Sequence, residues 1–185
     1  MIFPAIDIIR SEINSGGVIT AELGNIVEIL SSDTNNIGTN ADIIISLINI
    51  EENRISRDPL NYQKTNTDIF LKNPAVHLNL TLLFTSVRNE AGYGLALQNI
   101  QELILFFQRK YVFDHSNTAG LDPGIEKLIL EMVSLSFEQL NQLWSILGGK
   151  YHPSVIYRMR MVTIDSVTNQ KGSVIKEIET HHSLK

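Results

Sequence analysis

The sequence predicts an α+β domain, a mixed or antiparallel sheet packed by two to three helices. Three observations carry that expectation. Residues 75–85 alternate with a period of two, residues 93–107 repeat at helical spacing, and residues 155–164 return to the shorter period. Extended and helical segments do not alternate regularly, as they would around a parallel sheet. A length of 185 residues suits one domain. A chain of this mass can bury roughly 70% of its unfolded surface, enough for a core without metal or disulfide. Residues 1–166 are assigned to that domain and residues 167–185 to a polar C-terminal tail.

The elements follow in order. Residues 4–14 read as a helix: Ile2, Ile6, Ile9 and Ile13 recur at helical spacing, Pro4 suits the first turn, and Asn14-Ser15-Gly16-Gly17 ends it. Residues 18–30 are β-branched around Gly24, the composition of a weak hairpin or strand pair, and residues 31–39 form a polar turn. Residues 42–50 hold five isoleucines in nine positions, which favours a strand. Residues 51–73 are the longest polar stretch, with Ile55, Tyr62 and Phe70 scattered in it. They read as a loop that orders on a partner.

The second half is patterned more strongly. In residues 75–85, Val76, Leu78, Leu80, Leu82 and Phe84 share one face, and His77, Asn79, Thr81 and Thr85 the other. Tyr93, Ala96, Leu97, Ile100, Leu103, Ile104 and Phe107 then trace one helix face, widened by Leu105 and Phe106. Residues 111–124 hold a short extended piece and a turn-rich loop; residues 114–124 are expected to be mobile in an isolated subunit and to order against neighbours, with Leu121 as a docking residue. Residues 125–135 are extended, with Leu128, Leu130 and Met132 opposite Lys127 and Glu131. Ser136 and Gln139 have the spacing of a capping box, before a helix whose stripe is Leu140, Leu143, Trp144 and Leu147. Gly148 suits its left-handed cap. Residues 155–164 form the last strand, with Ile156, Val162 and Ile164 on the face of Arg158 and Arg160. The four strands 42–50, 75–85, 125–135 and 155–164 should make the sheet, the helix at 93–108 should cover it, and Trp144 should be buried.

Composition narrows the function. Fifteen basic and 20 acidic residues leave a charge of −5, against the basic stripe that nucleic-acid binding requires. No cysteine is present, so disulfides, thiolate metal sites and thiol nucleophiles are out. No run of 18 apolar residues offers a membrane span, and the N-terminus lacks a basic signal region. His77, His115, His152, His181 and His182 show no i,i+4 pair. Gly92-Tyr93-Gly94 continues to Leu97 where a dinucleotide fingerprint needs glycine, and Gly148-Gly149-Lys150 lacks the spacing of a P-loop. Asn79-Leu80-Thr81 matches a glycosylation sequon inside the best strand, a coincidence. Arg158 and Arg160 are expected to be solvated or paired with acids. No catalytic, cofactor-binding or metal residue is assigned, and the balance favours contact over catalysis. The competing reading is a small hydrolase or ligand-binding domain using the turn from His152 to Ser154 and the loop at 115–124.

An ordered series of short motifs adds to this. It comprises Pro74-Ala75-Val76-His77-Leu78-Asn79-Leu80 with Leu83-Phe84, Phe106-Phe107-Gln108, Gln139-Leu140-Asn141 with Leu143-Trp144, Leu147-Gly148-Gly149-Lys150-Tyr151, and Pro153-Ser154-Val155 with Tyr157. The series resembles the cap or tube-terminator proteins of extracellular contractile injection systems, the antifeeding-prophage type of phage-tail-like particle. The resemblance covers residues 3–166 and departs from the family pattern at Thr81 and Ala119. It implies a tail-terminator-like fold and a non-enzymatic structural protein without cofactor. It further implies a homo-oligomer, a hexameric ring, that ends the inner tube and contacts the last sheath layer. Assembly would be cytoplasmic, in a particle that can be released, with neither nucleic acid nor membrane as partner.

Overall fold

The computed structural model describes residues 1–31, 41–53, 62–64, 69–72, 77–88, 90–148, 150–163 and 167–172. Helix α1 (Ile2–Ser15), strand β1 (Ala21–Leu23), helix α2 (Ile26–Ser31) and strand β2 (Ile43–Glu52) come first. Strands β3 (Tyr62–Lys64), β4 (Ile69–Lys72) and β5 (Leu78–Thr85) follow, and a short turn leads into helix α3 (Tyr93–Arg109). Strands β6 (Val112–Asp114) and β7 (Ile125–Val133), helix α4 (Phe137–Ile146), then β8 (Ser154–Thr163) and β9 (Val167–Gly172) complete the order.

Six strands form a mixed sheet in the order β1-β2-β5-β8-β7-β6, with only β1 parallel to its neighbour β2. Its four inner strands are the four that the sequence indicates. A mixed sheet with helices is the α+β fold expected, carrying four helices among the described residues. One face holds the larger core, where Ile9 and Ile13 of α1 and Leu103 and Phe107 of α3 meet Leu80, Leu82, Phe84, Tyr157 and Met159. Phe84, Phe107 and Tyr157 pack edge-on or tilted at its centre, with centroids 4.6–5.7 Å apart. On the other face α2 and α4 cover Ile44, Leu83 and Ile156 with Ile26, Leu30 and Trp144. Trp144 is 4% exposed, as its stripe requires.

Three expectations change. Residues 18–30 give only the three-residue β1, then α2. Asn25 decides this: its side chain accepts from the Val27 N–H at 3.1 Å, the bond of an N-cap, while Ile26 and Leu30 bury one turn apart. The stretch at 51–73 contains the end of β2 and the hairpin β3–β4, while 54–61, 65–68 and 73 lie outside the described residues. Strand β9, placed by the sequence reading in the polar tail, pairs with β4 to make a three-stranded sheet. Backbone bonding alone builds such a strand, so no hydrophobic period announces it.

The loop at 114–124 is also more tightly built than its polar composition suggests. Asp114 Oδ1 accepts from the backbone N–H of Ser116 at 2.8 Å and of Asn117 at 3.2 Å. Lys110 Nζ donates to the Asn117 carbonyl at 2.7 Å, and Leu121 is 5% exposed within the main core. Leu121 is a core residue here, not a free docking residue.

Candidate assembly surface

The residues of the competing hydrolase reading lie in the packing below α4. His152 is half-buried, its ring centroid 6.1 Å from that of Trp144, and Tyr151 packs on the same indole at 5.6 Å. Burial, and then the charge of Lys150, hold the imidazole pKa below its ordinary value. Ser154 opens β8 opposite Thr85. Among the described residues no hydrogen bond joins the His152 ring to the Ser154 hydroxyl, so a nucleophile–base pair is not assembled. His115 Nε2 lies 2.8 Å from the Ile125 carbonyl and fastens the loop. His77 is half-buried at the start of β5, while His181 and His182 lie outside the described residues. Among the described residues no three potential metal ligands cluster.

The densest polar cluster, which sequence reading missed, is a fastening. Asp42 Oδ2 accepts from the Thr20 N–H and hydroxyl, each at 2.9 Å, and its Oδ1 meets Arg88 Nη2 at 2.6 Å. The Asp42 carbonyl accepts from Ser86 Oγ at 2.8 Å, and Asn99 Nδ2 donates to that same hydroxyl at 3.2 Å. Four segments distant in sequence are tied at one end of the sheet. Only folding brings them together, so no motif marks them.

The exposed apolar residues are concentrated on helices. On α4, Phe137 is 87% and Ile146 80% exposed, and Tyr151 just beyond is 57% exposed. They stand off the stripe of Leu140, Leu143, Trp144 and Leu147, partly to fully buried, which is how the sequence could have revealed them. A groove of about 210 Å³ runs along α4 between Phe137, Trp144 and Tyr151, and a second of about 580 Å³ separates α4 from α2 and β2. No lining residue of either carries charge. A third groove, about 270 Å³, lies on the opposite face of the sheet between the C-terminal ends of α1 and α3. Leu105, expected on the buried face of α3, is 39% exposed on its outer side.

Part of the sheet is left to polar side chains. Register aligns Asn49, Thr81, Arg158 and Glu131 in one row, and Glu51, Asn79, Arg160 and Ile129 in the next. Arg160 Nη2 pairs with Glu131 Oε1 at 2.6 Å, the acid partner expected for it. Both are well exposed, so the pair contributes at most about 1 kcal/mol. These surfaces suit contact with other proteins, neutral on the helices and mixed in sign on the sheet.

The profile of the Pvc16 N-terminal domain family matches residues 6–177. The chain belongs to that family. The matched span runs from α1 through β9, so both sheets fall within the Pvc16 N-terminal domain. The fold is similar to the PVC sheath/tube terminator of an extracellular contractile injection system in its extended state. That match has a TM-score of 0.60 at 16% identity, over 100% of this chain and 65% of that one. It is also similar to the anti-feeding prophage cap, a tube-terminating cap, with a TM-score of 0.55 at 14% identity over 80% of this chain and 52% of that one. The chain thus spans less than two thirds of either protein. No curated protein sequence matches it.

Proposed function

We propose that this chain is a structural cap that ends the inner tube of a contractile injection particle and contacts the last layer of its sheath. The observation that carries the reading is a Pvc16 N-terminal domain match over residues 6–177, on a fold similar to two tube terminators. The cap is a homo-oligomeric ring, a hexamer, and works without catalysis or cofactor. One domain forms the body of each subunit, and strand β9 (Val167–Gly172) belongs to it through its pairing with β4. A terminator needs one ring face complementary to the tube end and another that offers the next tube layer nothing to grip.

The subunits assemble in the cytoplasm as part of a particle that can be released. Among the described residues, no helix is long and apolar enough to cross a membrane. Electron microscopy of particles produced with and without this chain tests the proposal. Loss of the chain should leave tubes uncapped and of irregular length. Capped tubes of normal length in its absence would overturn it.

A further inference from the structure

Two surfaces on opposite faces of the sheet match one another. The first is a projection: Phe137, 87% exposed, is the first residue of α4, and Glu138 beside it is the only charged residue of that helix. The second is the groove of about 270 Å³ between α1 and α3, lined by Val18, Ile19 and Phe106 together with Glu102, Arg109 and Lys110, the last already paired with Glu12. A cavity of about 150 Å³ accepts a benzene ring, so the groove has room for a phenyl side chain. The α4 grooves are lined without charge, whereas the α1–α3 groove combines an apolar floor with Glu102, Arg109 and Lys110.

The charges that remain are complementary. Glu102 and Arg109 occur along α3, while Glu138 and Lys150 bracket α4. None of the four has an ion-pair partner among the described residues. Their signs run acid to base along both helices. Antiparallel packing of α4 of one copy on α3 of another therefore sets Glu138 against Arg109 and Lys150 towards Glu102. Parallel packing would oppose like charges.

We propose that this chain contacts a second copy of itself head to tail, Phe137 of one subunit seated in the α1–α3 groove of the next and Glu138 paired with Arg109. Two different patches on opposite faces make the contact heterologous, the kind that closes into rings. A self-paired α4 face would instead stop at a dimer, which the ring reading does not allow. The inference rests on the ring reading above and names the surfaces that build the ring.

The absence of native cysteine makes the test direct. The full-length double variant Arg109→Cys with Glu138→Cys should, on mild oxidation, give a ladder of covalent multimers up to ring size. Neither single variant should. A dimer from Glu138→Cys alone would reveal a self-paired contact and overturn the proposal. Light scattering separates the two readings. A ring-sized mass without the ladder would overturn this contact and leave the ring standing, whereas a monomer at all concentrations would overturn both. Phe137→Asp, at a site too exposed to matter for folding, should raise the dissociation constant at least tenfold. Exchange of charges in Arg109→Glu with Glu138→Arg should restore assembly that either change alone weakens; unchanged assembly in all these variants would also overturn the contact.

Discussion

Trp144 shows how one side chain can be structural on one side and border a contact surface on the other. Its ring is 4% exposed, packed on the sheet core and flanked by Tyr151 and His152. Trp144→Ala should cost about 3–5 kcal/mol, the range for emptying a buried aromatic site. At this chain length that lowers the thermal midpoint by roughly 6–20 °C; calorimetry would measure it, and an unshifted midpoint would contradict the core role. His152 gives a pH dependence of known sign. Burial depresses its folded pKa below the unfolded 6.5, so the unfolded chain takes up the proton first. Its contribution is therefore complete above that value and is lost as pH falls towards the depressed one. Between about pH 7.5 and pH 5.5 the parent should lose more thermal stability than His152→Gln. Equal losses would show that the ring does not titrate between folded and unfolded states.

At the scale of elements, short pieces are held by side chains acting as backbone. Strand β1 has only three residues, yet Ala21 is 1% exposed. Asn14, at the end of α1, accepts from the Ala21 N–H at 2.6 Å and donates to its carbonyl at 3.1 Å. The amide thus substitutes for a missing neighbouring strand at the sheet edge. Asn14→Ala would leave both groups unpaired and should cost about 1–3 kcal/mol, read from denaturant midpoints; a loss below the resolution of that method would refute the role. Helix α4 begins with the capping box that its sequence spells. Gln139 N–H donates to Ser136 Oγ at 3.2 Å, and Ser136 N–H to Gln139 Oε1 at 3.0 Å. Ser136→Ala should destabilise by about 1 kcal/mol and loosen the turn that presents Phe137, which amide exchange in the first turn of α4 would register.

For the whole molecule, the proposed ring contact is mostly apolar, with two exposed ion pairs at its rim. Screening shortens electrostatic reach from about 10 Å at 0.1 M salt to about 3 Å at 1 M, but leaves burial of apolar surface intact. The ring mass measured by light scattering should therefore persist at about 0.5 M sodium chloride. Dissociation into monomers there would mean that charge, not apolar contact, holds the subunits. The overall charge of −5 makes free subunits repel one another weakly.

The sequence by itself determined the sheet's inner strands, the α3 and α4 helices and the burial of Trp144. Most of these rest on periods of 2 and 3.6 over many residues, where hydrophobic burial on one face leaves little freedom; strand β2 rests on its five isoleucines. The motif series from Pro74 to Tyr157 also carried the family resemblance. Tertiary structure alone decided α2, the hairpin β3–β4 and strand β9, because short elements are set by caps and backbone pairing that composition scarcely marks. It also decided the Asp42 fastening and brought α1 and α3 together to form their groove. Both join residues far apart in the chain, and a sequence pattern has no way to express proximity that exists only after folding.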